Sequence, residues 1–142
     1  MSSESGVGSS RSVAHGRRTL MVWQILSAIL LLGMGGIHVY LVFYGVGGPL
    51  GTLFVLNGVG ALVLAIAILV LRAQLLALAA VLSLLFMAGT LLALILALTV
   101  GLFGIHEVMS FRLVPTTLVV ESIGTVVLAI TSLLAFRSQR VA

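Results

Sequence analysis

Long uninterrupted apolar runs dominate the chain, and their polar breaks divide it into four segments. No charged residue occurs between Arg18 and Arg72, and none occurs between Arg72 and Glu107. Both runs are far longer than the ~20 apolar residues that a helix needs to cross a bilayer. The first run is interrupted by GVGGPLG (residues 45–51), whose glycines and proline favour a turn at the aqueous edge of the membrane. The pattern predicts four membrane-spanning helices, near residues 20–44, 50–71, 75–103 and 114–136.

The continuous apolarity of these segments favours helices over the strands of a membrane barrel. Strands of an outer-membrane barrel alternate apolar and polar residues over about ten positions, and these segments do not. The sequence therefore predicts an all-α fold, an integral membrane four-helix bundle spanning residues 19–137. Residues 1–18 are rich in Ser and Gly, which predicts a disordered cytoplasmic tail, and residues 138–142 form a short C-terminal tail on the same side.

Composition supports the membrane class and removes several kinds of chemistry. Hydrophobic residues make up 61% of the chain and charged residues 7%, and the mean hydropathy is +1.36, far outside the range of water-soluble domains. The absence of cysteine excludes disulfides, thiolate metal sites and thiol exchange. The chain has no phosphate-binding loop, nucleophile elbow or HExxH motif. These features favour a protein that is not an enzyme.

The arginines predict the orientation in the plasma membrane. Positive residues in short loops stay on the cytoplasmic side, and in the four-helix arrangement only Arg112 falls on the external side. Both termini are therefore expected to be cytoplasmic. The net charge of +4 then fits contact with anionic lipid headgroups, and the chain lacks the polybasic cluster that nucleic-acid binding would need. The arginines on the cytoplasmic side are Arg11, Arg17, Arg18, Arg72, Arg137 and Arg140.

Two pairs of similar segments indicate an internal repeat. GMGGIH (residues 33–38) resembles GLFGIH (residues 101–106), and NGVGALVLAI (residues 57–66) resembles ESIGTVVLAI (residues 121–130). Since each unit would contain two crossings, both copies would share one orientation. The expected architecture is thus two tandem helical hairpins related by a pseudo-two-fold axis along the membrane normal.

The repeat makes His38 equivalent to His106 and Asn57 equivalent to Glu121. A rise of ~1.5 Å per residue places Asn57, Glu121 and His38 at a similar depth in the outer leaflet. His106 is too far from the start of the third helix to share that depth if the helix is straight. Either this helix is tilted or begins with an interfacial segment, or His106 belongs to the outer loop.

These four residues form the candidate polar site. Glu121 is the most informative of them, because an ionisable residue in hydrocarbon is costly and is usually turned towards the bundle interior. It could exchange a proton or orient a histidine, or it could be a neutral acid bonded to a neighbour, with His38 or Tyr40 as the expected partner. His38 could equally be satisfied by a carbonyl, Asn57 or Tyr40. The supporting residues would be Tyr40, Glu107 and Arg112.

Facing histidines from two membrane helices could ligate haem b, and nearby glycines would leave room for the macrocycle. A metal ion held by His38, His106, Glu107 and Glu121, or a quinone headgroup, is a further alternative. Glycines three residues apart also allow helices to pack closely in lipid, which needs no cofactor. The glycines expected at such contacts are Gly33, Gly36, Gly60, Gly101, Gly104 and Gly124.

The segments GIHVYL, GPLGTLFVLNGVGA and TVGLFGIHE resemble a group of small four-helix membrane proteins from actinobacteria that have no assigned activity. The likeness covers most of residues 30–110. It implies the fold and a taxonomic range, and it supplies no catalytic residues.

Three functions follow from these patterns. The favoured one is a non-catalytic accessory subunit that associates with other membrane subunits, or with a second copy of itself, through glycine faces. The alternative is a redox-associated subunit that binds haem b, metal or quinone at the polar site. A weaker alternative is a transporter of small solutes or protons.

Overall fold

The computed structural model describes residues 5–102, 104 and 106–141, and the side chains of residues 11–140 within that part. These residues contain four α-helices: α1 (Ser5–Phe43), α2 (Gly48–Val70), α3 (Ala73–Thr99) and α4 (Val114–Val141). Each helix is long and apolar enough to cross a bilayer. The predicted all-α fold with four potential membrane helices is confirmed.

The first two turns between helices lie where the sequence predicts breaks, and the first of them contains glycine. After α1, Gly45 has φ +105° and Gly48 has φ +64°, conformations that side chains rarely adopt. Pro49 lies in the first turn of α2, where its missing N–H costs no hydrogen bond. At the other end of α2, only Leu71 and Arg72 separate it from α3.

The helix ends differ from the prediction at both termini. The structure continues α1 back to Ser5, through most of the segment 1–18 that the sequence predicts to be disordered. It also extends α4 to Val141, into the predicted C-terminal tail. Extending an existing helix adds a hydrogen bond per residue without a new nucleation cost. A polar segment next to a membrane helix can therefore continue that helix. Between these ends, α3 stops at Thr99, earlier than the predicted residue 103.

Small residues bring α1 and α2 into close contact. A methyl group built on Gly35 would lie 2.7 Å from Cβ of Ala61 and 3.3 Å from Cα of Gly58. A methyl group on Gly58 would in turn collide with the side chain of Val39. Because neither glycine has a side chain, the two backbones approach each other as small-residue seams do in membranes.

The main core lies where the four helices meet. Its fully or almost fully buried residues are all apolar, and four of them are alanines, whose small side chains let the helices pack closely. A smaller cluster of Leu76, Ala77 and Ala135 joins α3 to α4 near the Arg72 end of the bundle. The main core contains Ala28, Leu31, Met34, Ala61, Ala65, Ile68, Ala79, Met87 and Leu128.

Large apolar side chains also cover the outside of the bundle. Leu62 and Leu69 of α2, Leu85 of α3 and Val126 of α4 are half exposed or more. In water such a surface would drive aggregation, whereas in hydrocarbon it needs no further partner. The arrangement fits a multi-pass membrane protein.

Candidate functional site in the bundle interior

Glu121 is the most unusual residue of the bundle, because its side chain is buried and unpaired. It lies near the start of α4 and has 0% exposure. Neither carboxylate oxygen has a hydrogen-bond partner within the described part of the chain. Burying an unpaired polar group costs free energy, and burying an unpaired charge costs far more. The buried carboxyl therefore makes no hydrogen bond that would offset the free-energy cost of its burial.

Three helices surround the carboxyl. On one side of α4, a methyl group built on Gly124 would lie 2.7 Å from Cε of Met87, so α3 packs closely one turn from Glu121. On another side, a methyl group on Gly33 of α1 would lie 4.0 Å from Cγ1 of Val120, the neighbour of Glu121 in sequence. Glu121 thus occupies the junction of α1, α3 and α4.

Thr90 of α3 lies beside the carboxyl, but its hydroxyl is directed elsewhere. The hydroxyl is 2.8 Å from the carbonyl oxygen of Met87 and 3.3 Å from Sδ of Met34, both of which only accept hydrogen bonds. A hydroxyl has only one proton, and in this state Thr90 donates it to the closer acceptor, the carbonyl oxygen of Met87 in its own helix. Rotation about the Cβ–Oγ1 bond of Thr90 would direct that proton towards Glu121 instead.

His38 has a partner in its own helix and does not bond to Glu121. Its Nδ1 lies 2.9 Å from the carbonyl oxygen of Met34, one turn earlier. Because a carbonyl only accepts, Nδ1 carries the proton and Nε2 is the acceptor of the neutral ring. The buried ring packs edge-on against Phe54 of α2, with centroids 4.8 Å apart at 87°. The sequence left a carbonyl, Asn57 or Tyr40 as possible partners of His38, and in the structure the partner is a carbonyl.

His106 belongs to the loop between α3 and α4 and not to α3, which decides between the two alternatives for its position. Since α3 ends at Thr99, the loop begins well before His106, and the imidazole is exposed. Its ring lies over Gly101, whose φ of +83° and missing side chain leave the space. No hydrogen bond or ring contact joins His106 to His38 in the described residues. The two histidines are therefore not structurally equivalent.

The described residues also contain no group of three His, Asp or Glu side chains placed to hold a metal ion. Glu107 lies in the loop, where its backbone N–H donates to the carbonyl oxygen of Ala97 at 3.0 Å. His106 and Glu107 are thus separated from the buried Glu121. The geometry supports neither paired histidine ligation of haem nor the proposed metal set.

Asn57 is partly exposed, but its Oδ1 is buried and has no partner in the described part of the structure. One turn later, Gly60 packs against Phe86 of α3, and a methyl group there would lie 3.0 Å from Cζ of the ring. Gly124 of α4 packs in the same manner against Met87, the residue after Phe86 in α3. Asn57 and Glu121 therefore hold comparable positions, each one turn before a glycine on which α3 packs.

Tyr40 and Arg112 form a separate cluster and do not support Glu121. Nη1 of Arg112 donates to the Tyr40 hydroxyl at 3.3 Å, and the guanidinium lies 5.2 Å from the centroid of the Tyr44 ring. The two tyrosine rings are stacked, with centroids 4.2 Å apart. Hydrogen bonding to the Tyr40 hydroxyl raises the pKa of Tyr44. This cluster attaches the α3–α4 loop to the end of α1.

The glycines expected to make room for a macrocycle do not line the interior together. Gly36 is exposed on α1, and a methyl group there would meet nothing within 4 Å. Gly101 and Gly104 lie beyond the end of α3 with positive φ, where they shape the loop. The contacts that bring α1 and α2 together use Gly35 and Gly58, which the sequence reasoning missed.

Sequence reasoning also missed the small polar residues of the interior. Ser27 and Thr131 are fully buried and hydrogen-bonded at 2.8 Å across α1 and α4. Ser83 of α3 is fully buried as well, and its hydroxyl has no partner in the described residues. A helical spacing could have revealed part of this pattern, because Ser27, Met34 and His38 share one face of α1 at intervals of seven and four residues.

Comparisons with protein-family models, with curated proteins and with solved structures found no match.

Proposed function

We propose that the protein is a membrane carrier of protons in which the Glu121 carboxyl takes up and releases the transported proton. The observation that supports this proposal is the full burial of Glu121, with neither oxygen hydrogen-bonded to any described residue. An acid that served only to hold the helices together would bond to a neighbour, because an unpaired buried group lowers stability. Ionisable residues within membrane spans mark ion pathways, proton relays, voltage sensors or the counter-ions of ligands.

The surroundings of the carboxyl suit a change of protonation state. The neutral acid needs no partner of opposite charge, and the described residues place none beside it. When the proton leaves, the Thr90 hydroxyl can rotate from its helix carbonyl to donate to the carboxylate. His38 is the other buried ionisable side chain of the described residues, and Nε2 is the acceptor of its neutral ring. It is the second group that could exchange a proton within the interior.

We extend the proposal to the membrane orientation of the chain, its internal repeat and its relatives. We place the protein in the plasma membrane with both termini cytoplasmic, supported by the asymmetry of its arginines. We also retain the internal repeat for residues 57–66 and 121–130, supported by the comparable positions of Asn57 and Glu121, but not for the segments that contain His38 and His106. We further propose that the chain is related to the small four-helix actinobacterial membrane proteins that its sequence resembles.

Proton flux into liposomes tests this function. Purified protein is reconstituted into vesicles that contain a pH-sensitive dye, and a pH step is applied with potassium and valinomycin to remove the membrane potential. The wild type should dissipate the pH gradient faster than empty vesicles. Glu121→Gln should reduce the rate to that of empty vesicles, because the amide cannot exchange a proton near neutral pH.

Glu107→Gln provides the matched control, since it removes the other described acid from an outer loop. It should retain the flux of the wild type. The proposal fails if the wild type carries no flux above empty vesicles, or if Glu121→Gln and Glu107→Gln behave alike.

A second candidate is the accessory subunit favoured by the sequence. Its support is the open surface at Gly36, which is exposed on α1 without any atom within 4 Å of an added methyl group. An unfilled small-residue surface permits close approach of a helix from another subunit or from a second copy. Gly36→Leu should then reduce association in nanodiscs, measured by the fraction of cross-linked or fluorescence-coupled protein. Association that is unchanged by this substitution would remove the candidate.

A further inference from the structure

We propose that the protein has a binding site for the phosphate headgroup of an anionic phospholipid, in a cleft between the start of α3 and the end of α4. This site is independent of Glu121 and of the proton proposal. The cleft has a volume of about 680 Å³, and its wall combines basic, amide and apolar side chains. The lining residues that carry the argument are Arg72, Gln74, Leu75, Phe136, Gln139 and Arg140.

The charge of the cleft matches a phosphate group. Arg72 and Arg140 are exposed, and neither guanidinium forms an ion pair or hydrogen bond within the described residues. No described acidic residue lies near them, since Glu107 is in the α3–α4 loop at the opposite end and Glu121 is in the interior. Guanidinium groups bind phosphate oxygens in a bidentate manner, and two of them can engage one headgroup.

The two arginines project from a fixed junction. Nε2 of Gln139 donates to the carbonyl oxygen of Ala73 at 3.1 Å and so links the end of α4 to the start of α3. Beneath this link, Leu76, Ala77 and Ala135 form a buried apolar cluster. Because the backbones of both helix ends are held together, less conformational freedom is lost when a ligand bridges the arginines.

The apolar part of the cleft favours a lipid over a free phosphate ion. Leu75 is 56% exposed and Phe136 is 47% exposed, and both line the cleft beside the arginines. An inorganic ion would leave these side chains without contact, whereas the upper acyl chain of a phospholipid would cover them. The cleft lies at an end of two membrane-spanning helices, where phospholipid headgroups are present.

Lipid binding can be measured on the full chain by native mass spectrometry. The protein is purified in a mild detergent and titrated with phosphatidylglycerol or with phosphatidylcholine. We expect a first phosphatidylglycerol to bind at least tenfold more tightly than phosphatidylcholine. Arg72→Gln and Arg140→Gln should each weaken that first binding step about tenfold, which corresponds to ~1.4 kcal/mol and to the loss of charged hydrogen bonds.

Arg137→Gln is the matched control, because Arg137 has the same charge at the same end of α4 but does not line the cleft. It should change the affinity less than twofold. Arg140→Lys tests geometry at constant charge and should lose part of the affinity, since an ammonium cannot form the paired contact. Far-UV circular dichroism and monodispersity establish that each variant is folded.

A further arm separates a lipid from a free phosphate ion. Inorganic phosphate at millimolar concentration should not displace phosphatidylglycerol, and Phe136→Ala should weaken lipid binding. The proposal is overturned if Arg137→Gln loses as much affinity as Arg140→Gln, if the two lipids bind equally, or if inorganic phosphate competes fully.

Discussion

The hydroxyls of Ser27 in α1 and Thr131 in α4 are hydrogen-bonded at 2.8 Å, and both side chains are fully buried. Thr131 also lies 2.9 Å from the carbonyl oxygen of Val127, which can only accept its proton. Ser27 is therefore the donor in the interhelical bond. This pair links two helices that are far apart in sequence, deep inside the bundle.

The interhelical bond predicts a measurable coupling between these residues. Ser27→Ala and Thr131→Val should each destabilise the protein, and the coupling between them should be about 0.5–1.5 kcal/mol, the range found for interhelical hydrogen bonds in membranes. A double-mutant cycle measured by unfolding in bicelles gives this value. Strictly additive effects would show that the bond does not hold α1 against α4.

A second prediction compares adjacent glycines of α1. Gly35→Ala would place a methyl group 2.7 Å from Cβ of Ala61 and close to the backbone of Gly58, so it should destabilise the fold by ~1–3 kcal/mol. Gly36→Ala meets open space and should be neutral, or more stable by up to ~1 kcal/mol from helix propensity. Thermal unfolding in detergent measures both. Equal effects of the two substitutions would contradict the α1–α2 contact described above.

A third prediction concerns the shape and chemistry of the Glu121 site. The sequence alone led us to expect His38 or Tyr40 as its partner, so that Glu121→Leu would leave a group unsatisfied. In the structure neither residue bonds to the carboxyl. Glu121→Gln and Glu121→Leu should therefore both fold, and Glu121→Leu should be at least as stable as the glutamine variant, because it removes an unpaired polar group.

The measurement for this prediction is the unfolding temperature of both variants in detergent. If Glu121→Leu is clearly less stable than Glu121→Gln, the carboxyl has a partner that stabilises the fold. Such a result would also weaken the argument that Glu121 is kept for transport.

A fourth prediction concerns orientation in the membrane. Reporter fusions at residue 74 and after residue 142 should be cytoplasmic, and a fusion near Gly47 should be external, because six of the seven arginines lie on one side of the four crossings. Activity of paired reporters that function only inside or only outside the cell measures this. An external signal at residue 74 would reverse the topology.

The number of helices and their approximate positions could be predicted from the sequence because both depend on local properties. Apolar runs longer than a bilayer is thick must cross it as helices, since backbone groups have no other partner in hydrocarbon. The glycines and proline of residues 45–51 end α1 for equally local reasons, through positive φ and a missing N–H. The burial of Glu121 was likewise predictable, because an ionisable residue within a membrane span is costly to expose to lipid and usually faces the bundle interior.

Only the tertiary structure decided which residues meet. On a membrane helix, the surface that faces lipid and the surface that faces another helix are both apolar, so hydrophobic periodicity does not distinguish them. The spacing of Gly33 and Gly36 therefore drew attention to a surface that is open at Gly36, while Gly35 makes the close contact with α2. The position of His106 depended on where α3 ends, and His38 bonds to Met34 rather than to Glu121. These outcomes follow from how four similar apolar surfaces pack together, which local sequence does not encode.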